Sequence, residues 1–257
     1  MLKYHKIILV SVVILIILII ADFFFRINIW FYIGIFLATT GLLAYGSASV
    51  RSCFYGEVIC SANTSDKMIA LTFDDGPDET VTPVILDILK RNNIKAAFFC
   101  IGSKVTSNPE ITKRIDSEGH IIGNHSYTHN YFFDLFSHKR ILKELEENDK
   151  ILGSLINRKI KMFRPPYGVT NPALVCAVNK IGYSVIGWSL KSKDTVIKNE
   201  NRLFRRLENR LDKGNIILFH DTISVTAKVL DKFIDYARGQ NYRFERLDYL
   251  LKIEAYE

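Results

Sequence analysis

No CxxC pair occurs among the four cysteines of this chain (Cys53, Cys60, Cys100, Cys176), and none has the spacing of a thiolate-ligated zinc site. Dense runs of Lys or Arg are also absent. The formal net charge is +7, but basic residues alternate with Glu and Asp, as between Lys139 and Lys150. That mixture marks a solvated surface and argues against a nucleic-acid partner, while leaving attraction to anionic lipid or an acidic glycan open. From Lys67 onward there are no internal repeats and no low-complexity segments. The first apolar stretch lacks the small-residue cleavage site of a secretory signal, and its apolar core is long for one.

Long apolar stretches are what the amino-terminal part does have. Residues 7–25 carry one charge, Asp22, and residues 29–50 carry none. A bilayer core takes about 20 apolar residues in helix, so either stretch can span. The first reads as a retained anchor; a buried core helix fits the second stretch better than the first. Residues 1–66 therefore read as membrane anchor and linker, contacting lipid, and residues 67–257 as one domain with enough chain for a substantial core. Cys53 and Cys60 are placed to pair just outside a membrane if that side is oxidising. Cys100 and Cys176 read as small buried hydrophobes.

The domain alternates strand and helix. Strand candidates lie at Met68–Phe73, Ala96–Ile101, Ile121-Ile122, Lys161–Phe163, Tyr183–Trp188, Asn215–Phe219 and Tyr242–Arg246. Thr82-Pro83 opens a helix with Val84, Ile85, Ile88 and Leu89 on one face, and Pro109–Glu118 is a helix stopped by Gly119. Ser137–Asn157 places Ile141, Leu145, Leu152 and Leu155 on one buried stripe. Asn171-Pro172 caps a helix ending at Gly182, and Asn201–Asp212 and Val225–Arg238 are helical. Repeated βα units predict an α/β fold, a parallel sheet with helices outside, and about seven strands imply an incomplete barrel.

Residues with chemical potential follow these strands: Asp74 and Asp75, His125, Arg164, Asp194, His220. Carboxyl ends of parallel strands are where functional groups collect, so positions far apart in sequence converge. Asp75, His125 and His129 would supply one oxygen and two nitrogens to a divalent metal and leave a position open for water. An HxxxH pair alone is common on surfaces; paired with the Asp74-Asp75 dyad it is far more specific. His120 and His138 lack a matching partner and read as structural or surface residues, and His5 precedes the first span at the interface. Asp74 is free to act as base, with Arg164 placed to hold it by a charge-assisted bond. The stiff turn Pro165-Pro166-Tyr167-Gly168 favours a site role for Arg164 over a surface salt bridge. His220 can donate a proton near neutral pH, and Asp194 can orient it.

The segments TFDDGP, HSYTH, RPPYG, WSLKSKD and LFH, in this order over about residues 67–250, resemble the five motifs of the polysaccharide deacetylases, the NodB-homology enzymes of carbohydrate esterase family 4. The resemblance implies a distorted (β/α)7 barrel, here preceded by an amino-terminal transmembrane helix or helix pair. It implies a divalent metal, most often zinc, with cobalt or another divalent ion as alternatives, held by Asp75, His125 and His129. Asp74 would be the base, supported by Arg164, and His220 the acid, supported by Asp194. The Tyr167 amide would hold the oxyanion, Leu218 would line the acetyl pocket and Trp188 would border the substrate. One departure is Thr195, where the family commonly has tryptophan after the fourth-motif aspartate.

The expected activity is metal-dependent removal of acetyl groups from an N-acetylated or O-acetylated polysaccharide, such as peptidoglycan, a chitin-like polymer or another surface glycan. Two other readings stand beside it: a deformylase or deacetylase of a lipid-linked sugar, and a glycan-binding pseudoenzyme. Lys3 and Lys6 point to a cytoplasmic amino terminus. Two spans would then return the domain to the cytoplasm, whereas one span, with residues 29–50 in the interface, places it outside. The family resemblance favours an extracytoplasmic domain anchored to a bacterial cytoplasmic membrane.

Overall fold

The computed structural model describes residues 2–257. Two long helices come first, α1 (Lys3–Phe25) and α2 (Ile29–Ala48), both apolar and long enough to cross a membrane. They pack antiparallel through contacts that include Ser11 Oγ with Thr39 Oγ1 at 2.8 Å, and Tyr32 donates to the Leu18 carbonyl. The second stretch is thus a helix lying along the first. The linker holds both free ends of this hairpin, with the Tyr4 N–H donating to Phe54 O and the Tyr55 hydroxyl to Leu43 O, and the domain meets the end of α2, where the Thr170 N–H donates to Ser47 O.

The domain then runs β1 (Met68–Asp74), α3 (Val81–Arg91), β2 (Ala97–Cys100), α4 (Gly102–Ser107), α5 (Pro109–Ser117), β3 (Ile121–Asn124), α6 (His138–Ile156) and β4 (Met162–Phe163). It continues with α7 (Pro172–Ile181), β5 (Ser184–Val185), β6 (Leu190–Lys191), α8 (Glu200–Glu208), β7 (Ile216–His220), α9 (Ser224–Gly239), β8 (Arg243–Phe244) and α10 (Leu247–Leu251). All strand pairs are parallel, in the order β5-β4-β3-β2-β1-β7-β6, and β8 pairs with the start of β1. The result is the parallel half-barrel with outer helices that the sequence predicts. The linker joins the sheet through bridges of Ile59 with Ile186 and Ser61 with Asn215.

Alternation along the strands sorts the interior into two layers. Ile69, Leu71 and Phe73 of β1, with Ile217 and Phe219 of β7, face the helices. Ala70 and Ile216, with Phe99, Met162 and Ile186, face the barrel axis, where Leu247 and Leu250 of α10 close the bottom. Continuing the inward register upward places Thr72 and Asp74 of β1, Leu218 and His220 of β7, and Arg164 just past β4 above that apolar floor. The β1–β7 pairing sets Asp74 directly beside His220.

Several local expectations need correction. The sheet has eight strands, because Leu190–Lys191 pairs with β7 over only two residues and leaves no periodic signal. Helix α3 begins before Thr82-Pro83, since Asp78 Oδ1 accepts from the Thr80 and Val81 amides. Val84 is 47% exposed, and Leu86 takes the buried position instead. On α6 the last buried residue is Ile156 rather than the half-buried Leu155, and the stripe includes Asn148. Cys176 is exposed on α7, while Cys100 is buried; all four cysteines, Cys53 and Cys60 included, are free thiols.

Candidate active site

Three side chains meet at the carboxyl end of the sheet. Asp75 Oδ1 lies 3.4 Å from His125 Nε2 and 3.4 Å from His129 Nε2, and one donor atom from each residue falls within 4.8 Å of the others. His125 Nδ1 faces the Arg164 carbonyl at 2.8 Å, which favours the proton on Nδ1 and leaves the Nε2 lone pair aimed at Asp75. An imidazole lone pair facing a carboxylate oxygen at this distance is repulsive unless a proton or a metal cation lies between them. Burial opposes a proton on His125, but Asp74 and Asp75 raise its pKa, so without a metal the imidazolium fills that role. The donor set and its convergence therefore fit a divalent cation of the zinc type.

Backbone geometry aims these groups. Asp75 has φ +72°, His129 φ +48° and Tyr167 φ +59°, all left-handed and all non-glycine. Such conformations cost about 1–3 kcal/mol each and persist where surrounding structure over-determines them. Gly76 has no alternative: a Cβ there would sit 2.0 Å from the Asp221 carboxylate. The His125 loop hangs from two buried asparagines. Asn148 Nδ2 donates to Cys100 O, Asn124 Oδ1 and Ser126 O, and Asn124 Nδ2 reaches Leu145 O, Asp149 and Tyr183.

Arg164 is fully buried, not a surface cation. Its Nη1 donates to Asp74 Oδ1 at 2.7 Å and Thr72 Oγ1 at 2.8 Å, its Nη2 to Gly187 O and its Nε to Ile186 O. The guanidinium also lies 4.1 Å from the centre of the Phe99 ring. Asp74 keeps Oδ2 on the pocket side, 3.9 Å from His125 Nε2.

On the opposite wall His220 Nδ1 meets Asp194 Oδ1 at 2.7 Å, while Asp194 Oδ2 accepts from the His220 amide and the Thr226 hydroxyl. Burial opposes protonation of His220, but the hydrogen bond and charge of Asp194, aided by Asp74 and Asp75, raise its pKa above the ordinary histidine value. Burial acts against ionisation of Asp194 as well, and the bonds from His220 and Thr226 hold its carboxyl below the usual range. Burial also works against the Asp75 carboxylate; His125, His129 and His220 outweigh it and keep the group strongly acidic. His129 is pushed down to about 4, by burial first and then by the charge of His125.

Asp74, Asp75, His125, His129 and His220 line a cavity of about 270 Å³ with Tyr167, Gly168, Trp188, Lys191, Thr195 and Leu218, and Arg164 and Asp194 stand behind Asp74 and His220. The Tyr167 ring packs 4.6 Å from His129 and its hydroxyl donates to the His129 carbonyl. Gly168 makes room for Trp188, whose ring lies 2.3 Å from where its Cβ would be. Every site residue expected from the sequence thus lies at one locus. His120 is structural, accepting from the Ala96 amide, and His138 is exposed.

Four supporting residues went unnoticed in the sequence. Asn148 had a signal, as a polar residue on the Ile141–Leu145–Leu152 stripe. Asn124 and Thr226 gave none. Asp221 is buried against Thr82, which donates to its Oδ2 at 2.7 Å, and burial pushes its carboxyl up to about 7. The motif readings stopped one residue short of it.

Comparison with known proteins identifies the family. Residues 61–186 match the family described as Polysaccharide deacetylase. The chain is 36% identical over 186 residues to peptidoglycan-N-acetylglucosamine deacetylase PgdA of Listeria monocytogenes, covering 72% of this chain but only 39% of that protein. It is 32% identical to a peptidoglycan-N-acetylglucosamine deacetylase of Bacillus cereus, covering 77% and 94% of the two chains. The solved Bc1960 peptidoglycan N-acetylglucosamine deacetylase superposes with a TM-score of 0.73 at 30% identity, over 78% of this chain and 95% of that one. BA3943 of Bacillus anthracis, a pseudoenzyme of carbohydrate esterase family 4, superposes with a TM-score of 0.71 at 28% identity, over 76% and 69%. The fold and site define a half-barrel with an Asp/His/His triad converging at its carboxyl rim. This chain belongs to the polysaccharide deacetylase family.

Replacing Arg164 by methionine leaves the buried Asp74 carboxylate unpaired and lowers stability by about 3–5 kcal/mol. Denaturant unfolding of the detergent-solubilised chain measures this. A change below about 1 kcal/mol would show that the pair is not the support described.

Proposed function

We propose that this chain hydrolyses the acetyl group from an N-acetylated sugar of a bacterial surface glycan of the peptidoglycan type. The observation that carries this reading is the convergence of Asp75, His125 and His129 beside a second carboxylate, Asp74, that remains free on its pocket side. A divalent cation held by the triad, zinc above all, would act as Lewis acid on the acetyl carbonyl and make water a nucleophile near neutral pH.

The chain's own residues do the rest. Arg164 occupies Asp74 Oδ1, so Oδ2 takes the proton of the attacking water. The left-handed Tyr167 turns its backbone toward the cavity, where its N–H donates to the developing oxyanion. Leu218 and Trp188 give the acetyl methyl an apolar wall. His220, held through Nδ1 by Asp194, protonates the leaving amine from Nε2. Thr195 lines the mouth where related chains carry tryptophan, so the groove offers less stacking surface to the sugar. Nothing in the proton-transfer set is missing, which favours an enzyme over a glycan-binding pseudoenzyme.

The α1–α2 hairpin anchors the domain in the cytoplasmic membrane, with the amino terminus on the domain's side because both free ends of the hairpin are bonded to the linker that leads into the domain. The relatives' peptidoglycan names favour the outer side. Lys3 and Lys6 then lie outside, against the usual charge bias.

Zinc titrated calorimetrically should bind the parent and Asp74→Asn with affinities within about tenfold, whereas Asp75→Asn and His125→Ala lose the site. Acetate release by Asp74→Asn should fall by about 10²–10⁴. Undiminished turnover in Asp74→Asn rules it out as base, and full turnover in metal-stripped Asp75→Asn refutes the mechanism.

The proton on His220 is needed for leaving-group departure and is stabilised by Asp194, so activity should decline on the alkaline side as His220 loses it. Asp194→Asn removes that stabilisation and should move the alkaline limb of the kcat profile to lower pH. A limb that stays in place, or moves up, contradicts the assignment.

In a Cys53→Ser/Cys60→Ser background, a membrane-impermeant maleimide applied to intact cells should label the exposed Cys176, and the further change Cys176→Ser should abolish the signal. Labelling only after lysis would place the domain inside.

A further inference from the structure

The anchor and the cavity share one end of the sheet. Thr170 lies six residues beyond Arg164 in the loop that leaves β4, and its amide donates to Ser47 O in the last turn of α2 at 3.1 Å. The next residue, Asn171, donates through Nδ2 to Asp134 O at 2.6 Å. The strand ends that carry the triad are therefore the ends from which the hairpin departs.

Between anchor and triad runs an apolar rim that nothing in the fold covers. Tyr131 is 76% exposed, Phe132 58% and Leu135 75%. The Tyr131 ring packs against Tyr167 at 6.1 Å, and Tyr167 packs against His129, so the rim is continuous with the triad on one side. Through Asp134, Asn171 and Thr170 it is continuous with the end of α2 on the other. Exposed basic residues flank it. His138, Lys139 and Arg140 follow directly, with Arg140 over the Phe136 ring at 3.5 Å, and Lys3, Lys6 and Arg51 lie at the hairpin ends. Aromatic and aliphatic residues backed by cations suit the boundary of an anionic bilayer.

We infer that Tyr131, Phe132 and Leu135 form a second membrane contact that holds the cavity against the bilayer surface, and that the acetylated sugar taken here is one carried on a membrane lipid. This rests on the deacetylase reading of the same site. A domain merely tethered by a hairpin would face any direction. A domain also held at its catalytic rim meets sugars within a headgroup's reach of the acyl chains, and a lipid-borne sugar arrives already confined to that layer. The reaction itself is unchanged: water adds to the acetyl carbonyl, the C–N bond breaks, acetate leaves and the sugar nitrogen takes up the proton.

The full chain is reconstituted into phosphatidylglycerol–phosphatidylethanolamine vesicles containing phosphatidylcholine brominated near the top of its acyl chains. In a Trp30→Phe background the only remaining indole is Trp188. Adding Phe132→Trp should contribute emission that the brominated lipid cuts by about half, as expected for a side chain at the headgroup–acyl boundary. Absence of quenching beyond that of the parent overturns the membrane contact. In a second arm, the Phe132→Ser/Leu135→Ser protein should lose about tenfold in rate on N-acetylglucosamine carried by a polyprenyl diphosphate in the same vesicles. Its rate on a soluble N-acetylglucosamine oligomer should match the parent's. Equal rates for variant and parent on the lipid-borne sugar overturn the substrate assignment, as does an equal loss on both substrates. No acetate from either substrate with the parent, with quenching intact, removes the deacetylase reading and leaves the membrane contact standing.

Discussion

A single cation buried in the barrel sets the conditions for everything above it. Arg164 has no exposed surface, and a guanidinium in such a position survives only if its charge is matched and its N–H groups are occupied. The match is Asp74; the remaining bonds go to Thr72, Ile186 and Gly187. β1, the end of β4 and the turn after β5 are thereby locked to one another at the level of the reacting groups. The pair also divides the two neighbouring aspartates. Asp74 is held inward by Arg164, and Asp75, turned by its left-handed backbone, is delivered to the histidines. Without that division two adjacent carboxylates would turn to the same side and repel each other.

Strain and its restraints have a common pattern here. Asp75, His129 and Tyr167 each occupy left-handed backbone, and each is fixed from outside its own segment. Gly76 packs flush against Asp221, the His125 loop is suspended from Asn124 and Asn148, and Tyr167 is clamped between His129 and Tyr131. Polar groups so deep in the molecule are costly unless bonded, and those bonds hold the donor atoms within reach of one cation.

Much of this was legible in the chain because catalytic residues follow strands, and strands announce themselves by apolar runs. Met68–Asp74 and Ile216–His220 carry their chemistry at the last inward positions, so the strand pattern and the motif point to the same place. Elements without periodicity were not legible: the two-residue β6, the single turn and a half of α4, and α10 under the barrel. Val84 and Cys176 show a different limit. An apolar residue near a buried face is not thereby on it, and one position on a helix turns a side chain about 100°. Asn148 shows the converse, since a polar interruption in an apolar stripe marks a hydrogen-bonding duty that composition alone discards.

The placement of the hairpin is the part that no motif could supply, because it depends on contacts between residues more than a hundred positions apart. The loop after β4 carries Arg164, which holds Asp74; Tyr167, which lines the cavity; and Thr170, whose amide donates to the last turn of α2. One short segment therefore links the charge balance of the site to the orientation of the anchor. The candidate site and the attachment of the hairpin are thus carried by one loop, so the position of one constrains the position of the other.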